Sequence, residues 1–140
     1  MLKPIATWIA ANTSLAMAED GAGTLQVGAR APGAPARCTV LLERSGGVTD
    51  FYLTDRVDYA LQVLSRAPDY LTARDDAWEV YEFLHGQAGV TLPVVESGSD
   101  DWELLTAEAQ ATPASIGQDE LHRHEFSTNY ILRLKRAREY

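Results

Sequence analysis

Residues 56–70 read RVDYALQVLSRAPDY, and they describe a strand that passes directly into a helix. Four apolar residues alternate there with a mixed second set, namely Val57, Tyr59, Leu61 and Val63. A period of two predicts a strand with one buried face. Pro68 ends the strand, because its ring has no N–H for the ladder, and Asp69 is a suitable helix N-cap.

The pattern after Asp69 is helical. Apolar residues recur at intervals of three and four, namely Tyr70, Ala73, Ala77, Val80 or Tyr81, and Leu84. This spacing predicts an amphipathic helix that ends before Gly86, which supplies a left-handed stop. Four acidic residues are expected on the solvent side, opposite the core stripe, namely Asp75, Asp76, Glu79 and Glu82.

Two large apolar residues of this helix, Leu71 and Trp78, lie seven positions apart on a shoulder away from the core stripe. One interpretation is that a curved sheet reaches round to cover them. The other is a subunit contact, because exposed apolar area of that size tends to be a binding surface. The sequence leaves both interpretations open.

The whole pattern predicts one domain over residues 1–140 with an α+β fold, a mostly antiparallel sheet with helices packed on one face, in the order α-β-β-β-α-β-β. A first helix is expected over residues 4–14. The other expected strands cover residues 24–28, 37–43, 102–112 and 123–135, and residues 51–53 begin the strand that ends at Ser65. Loops or turns are expected at residues 19–23, 29–36, 45–47, 87–99 and 113–121.

Composition narrows the function classes. Twelve Lys plus Arg against 20 Asp plus Glu give a formal net charge of −8. Such a chain lacks the clustered cations that grip a nucleic-acid backbone, although it can surround DNA without binding it. The single Cys38 excludes an internal disulfide and is expected in the core. The apolar run 5–11 follows only one cation, Lys3, so it predicts neither a signal peptide nor a membrane span.

The richest polar cluster covers residues 119–125. In a strand, Glu120, His122 and His124 would share one face, and two imidazoles at that spacing can share a metal. The other interpretation is a polar strand entrance, because His85 is the only remaining histidine. No Gly-x-Ser-x-Gly motif is present, and Cys38 has no motif around it. We therefore expect no catalytic site, no metal and no cofactor, with a small metal-binding enzyme using His122 and His124 as an alternative.

The order of these signals resembles the tail terminator proteins of long-tailed bacteriophages, many of which are labelled minor capsid proteins. The resemblance is carried by residues 59–70, then Ala73 and Ala77, then Leu84-His85-Gly86, and later by residues 113–120 and 123–130. It covers about half of the chain in the right order and spacing.

The resemblance implies a structural virion protein, not an enzyme. It implies a ring, usually hexameric, at the head-proximal end of the tail, which stops growth of the tail tube and joins it to the head. Gene transfer agents would use the same part. A head-completion or stopper protein of the neck remains the nearest alternative.

The implied partners are further copies of this chain, the major tail-tube protein and a head-completion or stopper protein. Genomic DNA would pass through the lumen without specific binding, no membrane is involved, and assembly would occur in the bacterial host cytoplasm. Seven residues are expected at subunit or ring contacts: Leu71 and Trp78 on the helix, and Gly117, Gln118, Asp119, Glu120 and Arg123 between the last two strands.

Overall fold

The computed structural model describes residues 2–17, 23–29, 34–44, 47–49, 51–94 and 101–137. Its two helices are α1 (Leu2–Asn12) and α2 (Tyr70–Leu84). Its strands are β1 (Leu25–Val27), β2 (Cys38–Glu43), β3 (Val48–Thr49), β4 (Arg56–Ala67), β5 (Ala88–Thr91), β6 (Asp101–Ala109), β7 (Ala114–Gln118) and β8 (His124–Ala137).

The strands form one sheet in the order β1-β2-β4-β8-β6-β5, with β3 beside β4 and β7 beside β8. Only β1 and β2 pair in parallel, and the other described pairs are antiparallel. The predicted α+β class is therefore confirmed. Neither described helix is long and apolar enough to cross a membrane.

Strand β4 and helix α2 follow the sequence pattern closely. The alternation in β4 turns Leu61 and Val63 into the core. The Asp69 carboxylate accepts the Thr72 N–H at 3.1 Å and caps α2. Gly86 follows the helix with a φ of 89°, a conformation that glycine adopts without strain.

Both helices pack on the same side of the sheet. Trp8 of α1 meets Phe83 of α2 edge to face, with 4.8 Å between ring centroids. The shared core takes buried side chains from both helices and the central strands, including Ile5, Ile9, Leu41, Leu61, Val80, Leu84, Leu104, Tyr130, Leu132 and Leu134. Cys38 is buried, as predicted.

The prediction that Asp76 faces solvent is wrong. Asp76 is 4% exposed, and its carboxylate accepts from Arg37 Nε at 2.9 Å and Arg37 Nη2 at 2.8 Å. This hydrogen bond is the main cause that raises the pKa of Arg37. Glu79 is also engaged, because its carboxylate accepts from the Ser14 N–H at 2.8 Å and the Ser14 hydroxyl at 2.7 Å. Half of the acidic set thus ties α2 to other segments.

Several element predictions are wrong. Strands β5 and β7 lie where loops are expected, β3 lies where no strand is expected, and the strand expected over residues 102–112 ends at Ala109. Residues 51–53 are loop, with β4 beginning only at Arg56. β5 and β7 are short and contain glycine, with positive φ at Gly89 and Gly117, so neither shows a clear alternation. The loops expected at 19–23, 29–36 and 45–47 lie partly or mostly outside the described residues.

The ion pair between Arg37 and Asp76 gives an asymmetric prediction. Arg37→Met leaves a buried carboxylate without its charged partner, so we expect the free energy of unfolding to fall by about 3 kcal/mol. Asp76→Asn should cost less, because the Arg37 side chain is 51% exposed and water can replace its partner. Urea denaturation followed by circular dichroism measures both.

Arg74→Met is the matched control, and it should change stability by less than about 1 kcal/mol because Arg74 is exposed. If Asp76→Asn lowered the free energy of unfolding more than Arg37→Met, this would contradict the cost that we assign to an unpaired carboxylate at position 76.

Candidate functional site

One flank of α2 carries a row of large side chains, and ring contacts join four of them, from Arg74 to His85. Five residues at intervals of three and four form it, and together we call them the α2 flank: Leu71, Arg74, Trp78, Tyr81 and His85. The Arg74 guanidinium lies 5.3 Å from the Trp78 ring centroid. Trp78 meets Tyr81 edge to face at 5.2 Å, and Tyr81 stacks on His85 at 5.2 Å.

The sheet does not cover the start of this flank, since the Leu71 side chain is 61% exposed. Trp78 is half-buried among its own helix neighbours. It also lines a shallow groove with Arg74, Asp75, Glu79 and Glu82. The α2 flank therefore presents apolar and aromatic surface that its own chain leaves partly open.

Asp119 organises the turn between β7 and β8. Its carboxylate accepts the N–H groups of Leu121 and Arg123, both at 2.9 Å, and Arg123 Nε at 2.7 Å. His122 adopts a φ of 60° within the turn. Asp119 and Arg123 thus serve the turn of their own chain, and Glu120 and Leu121 stand exposed at its tip.

The electrostatics of Asp119 follow from these contacts. Desolvation raises the pKa of Asp119, but the hydrogen bonds from the Arg123 backbone, the Arg123 side chain and the Leu121 N–H together outweigh it. The pKa of Asp119 is consequently lower than its usual value. The ionised carboxylate is the form that holds the turn closed.

Tyr70 connects the α2 flank with this turn. Its ring meets the His124 ring at 5.5 Å, and His124 Nε2 lies 3.2 Å from the side-chain nitrogen of Gln118. Because Tyr70 directly precedes Leu71, and Gln118 is the last residue of β7, the start of the flank lies close to the end of β7.

The other end of the flank is held on the same side of the molecule. His85 Nδ1 accepts the N–H of Ala109, the last residue of β6, at 2.9 Å. Strands β6 and β7 both pair with β8 on the edge away from β4. The structure therefore places the helix residues and the turn residues that the sequence indicates separately on the same side of the sheet.

The histidine pair does not share a strand face. His122 lies in the turn, and His124 is the first residue of β8, in contact with Tyr70 and Gln118. The premise that Glu120, His122 and His124 point the same way is therefore wrong. Within the described ranges, no group of three or more His, Cys, Asp or Glu side chains is placed to hold a metal ion.

The loop between β3 and β4 is a feature that the sequence reasoning missed. Phe51 and Tyr52 are 87% and 89% exposed, and their rings meet edge to face at 5.3 Å. The base of this loop is fixed by the Arg56 N–H, which donates to the Leu53 carbonyl at 3.0 Å. The sequence signal for this loop is three consecutive large apolar residues, but the same pattern also indicates the start of a strand.

Comparison with known protein families finds a match over most of the chain. The family described as bacteriophage tail terminator protein matches residues 9–136, which include α2, β1 to β7 and nearly all of β8. No curated protein matches the chain.

The turn gives a pH-dependent prediction. Asp119→Asn should lower the free energy of unfolding at neutral pH, because it removes the charged acceptor of the turn. Folding lowers the pKa of Asp119, so its stabilisation is present above the unfolded pKa of about 4 and is lost as the pH falls through the folded value. The stability difference between wild type and Asp119→Asn should therefore narrow from neutral to strongly acidic pH.

Urea titrations over that pH range measure this difference. Glu120→Gln is the control, because Glu120 is exposed beside the same turn and should show little narrowing. A difference for Asp119→Asn that stays constant with pH would contradict the role assigned to the carboxylate.

Proposed function

The chain belongs to the family of bacteriophage tail terminator proteins, and on that premise we propose that it forms a ring at the head-proximal end of the tail. The family is one of structural tail proteins, so the chain belongs in the virion. In the proposed role, the ring ends polymerisation of the tail tube and provides the joint to the head.

The main support is the position of the α2 flank beside the β7–β8 turn. A closed ring requires two different surfaces on each subunit, one of which contacts the other on the next copy. Leu71 and Trp78 supply the apolar anchors of one such surface, and aromatic anchors commonly dominate the energy of an interface. Gly117, Gln118 and Glu120 lie exposed at the adjacent edge, and Asp119 and Arg123 fix the turn that presents them.

The two ends of β4 offer surfaces to stacked partners. The exposed loop with Phe51 and Tyr52 precedes β4, and the β7–β8 turn lies level with its other end. Twelve residues of strand separate these ends by about 36 Å. We assign the tail-tube protein and a head-completion or stopper protein to these two ends, with six copies of the chain in the ring.

The charge of the chain suits a conduit for DNA. A formal net charge of −8 disfavours tight contact with the phosphate backbone. Genomic DNA would then pass through the lumen without specific binding. The ring would assemble in the host cytoplasm.

Two alternatives have separate tests. A stopper protein of the neck fits the same class of surfaces, and gene order distinguishes it, because a terminator gene should directly precede the gene of the major tail-tube protein.

A small metal-binding enzyme would carry one tightly held zinc or nickel per chain, lost in the His122→Ala, His124→Ala double variant. We expect elemental analysis to find no such metal.

Trp78→Glu tests the proposed subunit contact. It removes the aromatic anchor and adds a carboxylate beside Glu79 and Glu82, where like charges repel. The fold should survive, because the buried stripe through Ala73 and Ala77 is unchanged. We expect a folded protein whose assembly is weakened about 30-fold, which corresponds to about 2 kcal/mol.

Light scattering and circular dichroism measure assembly and folding, with the protein alone and with tubes of the tail-tube protein from the same phage genome. Val94→Glu is the control, because Val94 is an exposed apolar residue outside the α2 flank. An intact ring from Trp78→Glu would refute the contact, and an unfolded chain would assign Trp78 to the core.

A further inference from the structure

Two outer edges of the sheet lie at the same level. Leu25 of β1 pairs with Thr39, Thr39 pairs with Ser65, and Ser65 pairs with Phe126. Phe126 pairs in turn with Ser115 of β7. This cross-strand row therefore runs from β1 at one margin of the sheet to β7 at the other.

The two edge strands run in opposite directions. β1 is parallel to β2, β2 is antiparallel to β4, and β4 is antiparallel to β8. β1 consequently runs in the direction of β8, and β7 runs against it. Rotation about a ring axis close to the strand direction preserves these directions. β7 of one copy and β1 of the next would then meet as antiparallel neighbours.

The edge at β7 lacks charged side chains and proline, although a register shift between Ser115 and Gly117 interrupts its pairing with β8. Its five residues are all exposed, and none of them is charged or a proline. Natural sheets commonly protect free edges with charged side chains or proline, because open N–H and C=O groups attract another strand. An extended backbone is the partner that satisfies such alternating groups. The chemistry of β7 therefore favours strand addition.

Among the described residues, the edge at β1 is open only at Val27, because the chain's own Ala16 lies against Thr24 and Leu25. Its inward hydrogen bonds run from the Thr39 N–H to the Thr24 carbonyl and from the Gly28 N–H to the Leu41 carbonyl. By alternation, Leu25 and Val27 direct their backbone groups outward. The Leu25 N–H donates to the Ala16 carbonyl at 3.0 Å. In the part of the chain that the structure describes, the backbone groups of Val27 have no partner.

We propose that β7 of one copy pairs with β1 of the next copy, so that the sheet continues from subunit to subunit. A second copy is the occupant because the two edges lie on opposite margins of one chain, at one level and with opposite directions. The helices of neighbouring copies would then meet as well. The α2 flank lies on the β7 side, so it would face α1 of the next copy, which packs against β1. The inference rests on the proposed ring and names the backbone edges that hold it.

Cysteine pairs across the contact test this arrangement. Gln26→Cys with Ala114→Cys tests the level register on the face without helices, which would require the Leu25 N–H to leave the Ala16 carbonyl and the buried Gln26 position to become accessible. Val27→Cys with Ser115→Cys tests a register moved by two residues on the helix face. The two cysteines of a pair are placed in separate chains. These chains are mixed, assembled on tubes of the tail-tube protein from the same phage genome, and then oxidised. The native Cys38 is buried and adds little background.

We expect disulfide-linked dimers only when the two members of a pair are mixed. A single chain that carries both cysteines should give a ladder of linked chains. Dimers from one variant alone would indicate pairing of like edges and would overturn the proposal. If native mass spectrometry confirmed the mass of a ring but neither pair formed a disulfide, the pairing of β7 with β1 would be overturned and the proposed ring would still stand. Absence of a ring in wild type, alone and on tubes, would overturn the proposed function as well.

A charge placed on the edge gives an independent measurement. Ile116→Lys introduces the kind of side chain that protects natural edge strands. We expect the protein concentration at which half of the chains are assembled to rise about tenfold, with the midpoint of thermal unfolding unchanged. Val94→Lys adds the same charge at another exposed apolar residue, and its half-assembly concentration should stay within about twofold of that of wild type. Equal assembly of the two variants would show that β7 makes no contact.

Discussion

The pairing of β4 with β8 is the interaction on which the other elements depend. Twelve residue pairs join the two strands, from Arg56 with Lys135 to Ala67 with His124. Their helix-facing residues form the centre of the core. β2 and β6 extend this pair on its two sides, and α2 begins three residues after β4 ends. The edge strands and both helices therefore take their positions from one long ladder, which explains why the surfaces of interest lie at its margins and ends.

This dependence also explains how much of the fold the sequence predicts. β4, α2 and β8 are long enough for a period of two or 3.6 to be clear, so their existence and buried faces are predictable. β5 and β7 are stabilised by strands that already exist, and their short Ala- and Gly-containing segments need no pattern of their own. Helical spacing alone misplaces Asp76 opposite the core stripe, because the partner that buries it, Arg37, lies 39 residues away in the chain.

The candidate site is predictable only in its local part. Helical spacing places Leu71 and Trp78 on one shoulder, but it does not reveal that Tyr81 stacks on His85 or that Tyr70 reaches His124. Those contacts exist because α2 crosses strands that are distant in sequence. Asp119 shows the opposite effect. It looks like an acceptor for another chain, yet its own turn uses it fully enough to lower its pKa.

In the proposed role the chain stops a polymer, and it must therefore not extend itself without limit. Contacts between two different surfaces close into a ring when successive copies show no rise along the axis, and otherwise continue as a filament. Edges at different levels would displace each copy along the strand direction. β1 and β7 share one cross-strand row, so pairing in the level register would add little displacement, whereas pairing of Val27 opposite Ser115 would shift each copy by two residues along the strand. Closure would also occupy both edges in every copy, and the ends of β4 would remain as the surfaces for head and tail partners.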